Sequence, residues 1–176
     1  MKVHYLFILG CFLFCPVICQ ADGTTPFQVS LVNPIQLHPA DISVDGFRWD
    51  IIYGVNDDFQ GLDLGLGNRS NGDCHGYELG LVNLVDQDFG GAQLGLFNEV
   101  GRHAKGLQAG LVNITGLSYE GLQVSVFFNN TIEEMQGLQL GLINHAGSLD
   151  GIQVGLLNFN DDTKYLGFLP FINAAF

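Results

Sequence analysis

"GLQLGLINHAGSLD", residues 137–150, is the stretch whose reading decides the fold. Leu138, Leu140 and Leu142 alternate with Gln139 and Gly141, and Asn144 closes the run. Alternation at period two marks a β-strand with one face buried, because successive side chains point to opposite faces of a sheet. A helix would want apolar residues three and four apart, and paired glycines would weaken it further. The phrase recurs along the chain. Its opening glycine returns at Gly46, Gly61, Gly76, Gly91, Gly106, Gly121, Gly137 and Gly151, spaced by 15 residues five times, then 16, then 14. Self-similarity at a fixed period is the signature of a repeat architecture. Degenerate units begin near residues 26 ("PFQVSLVN") and 166 ("LGFLPFIN"), which makes ten units in one repeat domain over 22–176.

Counted from the opening residue, position 6 is apolar throughout, and positions 2 and 4 nearly so. Position 3 carries Gln93, Gln108, Gln123, Gln139 and Gln153, preceded by Asp63 and Glu78. Position 8 carries Asn33, Asn68, Asn83, Asn98, Asn113, Asn144, Asn158 and Asn173. A further apolar residue (Phe59, Phe89, Tyr119, Met135, Leu149) stands two residues before the next unit. The expectation is that the leucines point inward. The glutamines would then form an outward strip, either a contact surface for a polysaccharide or partner protein, or an amide ladder on the outer sheet face.

Ten such units can be stacked in two ways. Coiled, each unit is one rung of a parallel β-solenoid, with equivalent positions about 4.8 Å apart and a core no single unit could bury alone. Alternatively the strands form an antiparallel meander closed into a barrel, around a ligand cavity or in an outer membrane. The lipid-facing version is disfavoured. Positions 2 to 6 span about 13 Å, whereas a membrane barrel needs an apolar band of about 25 Å. The asparagine column favours the coil, since aligned amides can donate from rung to rung. An asparagine tolerating the left-handed conformation of a local turn is the competing explanation. Pro26, Pro34, Pro39 and Pro170 lie in the end units, where a stack must avoid recruiting another chain. Trp49 reads as an aromatic filler of the first cap.

The N-terminal "MKVHYLFILGCFLFCPVICQAD" has a short basic start, an apolar run and a small-residue pattern before Asp22. That is the layout of a secretory signal peptide over residues 1–21. Cys11 also sits in a lipobox-like "ILGC". Cleavage removes Cys11, Cys15 and Cys19 and leaves Cys74 alone, so neither a disulfide framework nor a zinc site is implied. The formal net charge of −12 disfavours nucleic acid and anionic lipid as partners, since both are bound through Lys and Arg.

A search for chemistry finds no convergent set. His75, His103 and His145 fall at different positions of their units, and no serine has the context of an activated nucleophile. The acidic turns lack the glycine-rich nonapeptide that binds calcium between rungs. No catalytic residue, metal or cofactor is therefore assigned, and the chain reads as non-enzymatic.

The opening "FQVSLVNPIQLHPADISVDGFRWDIIYGVN", the series "GLDLGLGNRSNGD" and "GLQLGLINHA", and the close "GFLPFINAAF" resemble, in that order, the bacterial surface-repeat-containing proteins of spirochaetes and other Gram-negative-type bacteria. The resemblance spans residues 26–176. It departs at Ser125 and Phe128, which replace Gly and Asn in a unit one residue too long, as a bulge would explain. It implies an exported protein of the periplasm, outer-membrane surface or exterior with a structural or adhesive role, and supplies no catalytic residues. A surface glycan or a host or envelope protein is the partner expected.

Overall fold

The computed structural model describes residues 23–163 and 167–176. The expected signal peptide over residues 1–21, with Cys11 of its lipobox-like stretch, lies outside the described residues. Those described form strands, turns and loops, with no helix. In chain order the strands are β1 (Thr24–Val32), β2 (Ile35–Gln36), β3 (Ser43–Asn56), β4 (Phe59–Ser70), β5 (Cys74–Leu79) and β6 (Val82–Val85). There follow β7 (Phe89–Leu94), β8 (Phe97–Val100), β9 (Ala104–Thr115), β10 (Ser118–Leu140), β11 (Ile143–Asn160) and β12 (Phe168–Ala175).

Each repeat lies directly on the one before it. The opening glycines stack in one column, pairing in parallel from Gly46 through Gly61, Gly76, Gly91 and Gly106 to Gly121 and again from Gly137 to Gly151, with Gly137 seated against the Gly121 carbonyl between them. The asparagines pair likewise, Asn68 with Asn83, Asn83 with Asn98 and Asn98 with Asn113. A meander would pair consecutive repeats antiparallel, so the barrel alternative is overturned. The chain is a β-solenoid of roughly nine turns, about 43 Å long at ~4.8 Å per turn.

The glycine column makes the coil possible. All eight opening glycines have φ between +123° and +152°, a region closed to residues with a Cβ. A Cβ at Gly91 would also overlap the carbonyl oxygen of Gly76 one rung below. The chain bends there at each turn. A second corner follows at positions 6 and 7, where two successive residues point outward and the inward alternation resumes at position 8.

The two uneven spacings have separate causes. Between Ser125 and Phe128, β10 carries one residue more than β9, and this bulge accounts for the 16-residue spacing. It restores register so that Asn129, absent from the expected column, pairs with both Asn113 and Asn144. The 14-residue spacing comes from the next turn, where Ala146 to Ser148 matches the longer Thr131 to Glu134.

The faces are the reverse of what the leucine pattern suggested. Gln93, Gln108, Gln123, Gln139 and Gln153 are wholly buried, as are Asn68, Asn83, Asn98, Asn113, Asn144 and Asn158. Leu142 is 43 % exposed, and Leu79, Leu81 and Leu96 are about half exposed. Beside the asparagine column the interior has no room for a side chain at position 5: a Cβ at Gly95 would sit 2.9 Å from Asn98 Oδ1 and 2.8 Å from Asn83 Nδ2. Its one wide apolar column is Val44, Phe59, Cys74, Phe89, Ala104, Tyr119, Met135 and Leu149. Those are the residues preceding each unit, which the sequence marked only as part of the turns.

The C-terminal unit is not a tenth rung. β12 runs antiparallel to β11, with Gly151 opposite Ala175 and Phe159 opposite Phe168. Reversal moves Asn173 out of the asparagine column and opposite Gln153. At the other end β1 pairs parallel with β3, and β2 folds back antiparallel on β1.

Candidate functional site

Two amide ladders fill the interior and account for the expected site residues. In the asparagine column each side-chain N–H donates to the next rung: Asn68 to Asn83 Oδ1 at 2.9 Å, Asn98 to Asn113 at 2.8 Å and Asn144 to Asn158 at 2.8 Å. The same nitrogens donate to backbone carbonyls at the corner, Asn83 to Leu94 O and Asn144 to Val154 O. The glutamine ladder donates the other way, toward the N-terminus: Gln108 to Gln93, Gln123 to Gln108, Gln139 to Gln123 and Gln153 to Gln139, each at 2.8 Å. Asn173 extends it by donating to Gln153 Oε1 at 3.0 Å. Buried amides must be hydrogen-bonded, and identical amides one rung apart satisfy one another without water. The glutamines therefore form no outward contact strip; they are structural.

Toward the N-terminus the glutamine ladder becomes charged. Gln93 Nε2 donates to Glu78 Oε2 at 2.6 Å. Below Glu78 stand Asp63 and Arg48, which are hydrogen-bonded to each other. Arg48 Nε also meets Asp50 at 3.2 Å, and its guanidinium lies 4.7 Å from the Phe59 ring centroid. Gly54 stands where the other rungs carry Asn, and a side chain there would collide with the Asp50 carboxylate. That gap admits Asp50 to the interior. Three buried carboxyls thus face one buried guanidinium. Burial pushes Asp50 up to about 7 against the pull of Arg48. Burial, with Asp63 nearby, takes Glu78 to about 7, and burial also raises Asp63. Burial opposes the charge on Arg48, yet its three acidic neighbours hold its pKa above the ordinary value. Burial raises the Cys74 thiol well above its usual range, which keeps it protonated and unreactive. This cluster is closed to solvent, so it can hold the fold but cannot meet a substrate.

The outer surface divides into two sides. On one, positions 2, 4, 6 and 7 of the stacked rungs carry Leu, Ile, Val, Phe, Ala and Trp, broken only by Gly67 and by Tyr53 and Tyr77, whose hydroxyls with the Trp49 indole N–H are its polar groups. Trp49 belongs to this side and is half exposed, so it does not fill the cap as expected. On the other side, turns carry acids and their partners. Arg69 meets Asp86 at 2.8 Å and Lys105 meets Glu120 at 2.8 Å, both between rungs. Asp58, Asp73 and Asp88 accept the backbone N–H groups of Asp73, Asp88 and His103 in turn. The histidines remain apart: His103 bonds Ser118 and His145 bonds Asn130. Among the described residues no group of three His, Cys, Asp or Glu could hold a metal ion, and no helix is long and apolar enough to cross a membrane.

The apolar side is the feature the sequence reading missed. Its signal was present: four of the seven residues opening each unit are apolar and the glycines are too regular for a wide core, so surplus leucines had to lie outside. No protein-family model matches the chain, no curated protein matches it, and no solved structure matches it.

Proposed function

We propose that this chain is an exported, non-enzymatic rod of the bacterial envelope or surface that works by contact, as its resemblance to surface-repeat proteins implies. The observation that carries the reading is the apolar side of the solenoid, which runs through eight rungs without a charged residue. A contiguous exposed apolar surface wider than a few hundred Å² marks an interaction site. The acids on the opposite turns keep the rod soluble while that side makes contact. With the glutamines buried, a polar strip for glycans has no residues to build it, and an apolar partner surface fits better. Fractionation of the native host, combined with protease added to intact cells, tests the location. The expected result is a mature chain beginning near Asp22 in the envelope fraction and degraded from outside. A chain retaining Met1 in the cytoplasmic fraction contradicts it.

A further inference from the structure

We infer that two copies of this chain pack leucine side against leucine side, as an isologous dimer. The inference rests on the contact role proposed above and names the partner.

The apolar side runs through eight stacked rungs, from Phe47, Trp49 and Ile51 to Ile152, Val154 and Leu156. At ~4.8 Å per rung and ~3.3 Å per residue across positions 2 to 7, it covers about 650 Å² before side-chain relief is counted. A stable protein–protein interface buries about 800 Å² per partner, so one copy of this side offers nearly the whole of what a dimer needs. The charge distribution agrees. None of the four outward columns contains a Lys, Arg, Asp or Glu. Two acidic chains can therefore meet there without opposing like charges in those columns, whereas an approach turn to turn sets acids such as Asp58, Asp73 and Asp88 together.

Regularity favours a second copy over an unrelated partner. Side chains repeat at ~4.8 Å along the rod and at ~6.6 Å across it, and two such faces interdigitate at the ~10 Å separation of stacked sheets. A two-fold axis lying in the plane of the contact makes it self-complementary and closes it at two copies. A bilayer fits less well. The flanking columns hold Glu99, Glu120 and Asp150, while Arg69 and Lys105 are already paired with acids. Anionic headgroups would meet repulsion there.

Sedimentation equilibrium of the purified mature protein reads the result directly. Wild type is expected to sediment at twice the chain mass at micromolar concentration. Leu79→Glu and Leu94→Glu, outward residues near the middle of the side, should weaken association at least 100-fold with the circular dichroism of the folded chain retained. Should a buried-edge glutamate unfold the rod, the pair Leu79→Thr with Leu94→Thr keeps β-propensity and should still weaken association at least 10-fold. Glu120→Gln, on the polar turns, should leave the dimer intact. A folded wild type that stays monomeric at 100 μM (about a hundred times a micromolar dissociation constant) overturns the inference. So does a dimer indifferent to the Leu79 and Leu94 changes, or a monomer that floats with phosphatidylethanolamine–phosphatidylglycerol vesicles. The mass of the purified protein is independent of where it works, so a monomer here would leave the envelope reading to its own protease test.

Discussion

Each column in the solenoid asks something specific of its residue. Gly91 needs a φ of +141° and contact with the Gly76 carbonyl; neither is open to another residue. Gly91→Ala should cost about 3 kcal/mol or more of unfolding free energy in urea, combining a strained φ with a backbone clash. Leu96→Ala, on the half-exposed outer side, should cost the isolated chain under about 1.5 kcal/mol. If Gly91→Ala is the milder of the two, the glycine column does not set the coil. The glycine period and most of the asparagine column were legible in the sequence, because each repeats one residue type from rung to rung; Gly54 and Asn129, displaced by bulges, were not. The direction of the glutamines was not. Period two says which residues share a face without saying which face is inside, and hydropathy assigns that role to leucine. Stacking changes the outcome: a glutamine above a glutamine loses the penalty of burial, while a leucine above a leucine already shields half of itself from water.

At the scale of elements, the ends differ from the middle. Inner rungs satisfy their backbones above and below, but a terminal rung leaves a row of unpaired N–H and C=O groups that would recruit another chain. β12 covers that row on β11 by running antiparallel. Its reversal was illegible because "LGFLPFIN" preserves the repeat's spacing, and spacing carries no information on strand direction. Deleting residues 167–176 should expose β11 and turn the protein into a species that elongates end to end, seen as growing light scattering and fibres by electron microscopy. A truncated protein that remains at its original size would show that β12 is not the barrier. The bulge at Ser125–Phe128 was readable in outline from the long unit, yet its consequence, the delivery of Asn129 into the ladder, needed the register.

Across the whole molecule, stability depends on three buried carboxyls and one guanidinium near the N-terminal end. Asp50 and Glu78 titrate at about 7 in the folded chain, against ordinary values of 3.8 and 4.5. The folded state therefore binds more protons than the unfolded one between those limits. Its stability is full below the ordinary values and falls as pH rises through the window. Unfolding free energy should decrease by on the order of 2 kcal/mol from pH 5 to pH 8. Glu78→Gln should flatten that slope and stabilise the protein at pH 8. A glutamine there continues the ladder below Gln93 and can donate toward Asp63 Oδ1, which has no hydrogen-bond donor. A profile that rises from pH 5 to pH 8, or a Glu78→Gln variant with the wild-type slope, would contradict this reading. The sequence showed Asp63 and Glu78 in the glutamine column; only the structure sets Arg48 and Asp50 beside them and reveals what their burial does.

An inward glutamine column is the premise on which the outer leucine side depends, and side-chain amide exchange tests it most directly. Transferred into D2O and followed by 15N-resolved NMR, the side-chain N–H groups of Gln93, Gln108, Gln123 and Gln139 should persist for hours, together with those of the asparagine column. Exposed Gln60 and Gln136 should exchange within the dead time. Rapid exchange at Gln108 and Gln123 in a folded protein would place the glutamines outside and the leucines within, and would contradict an amide-filled interior.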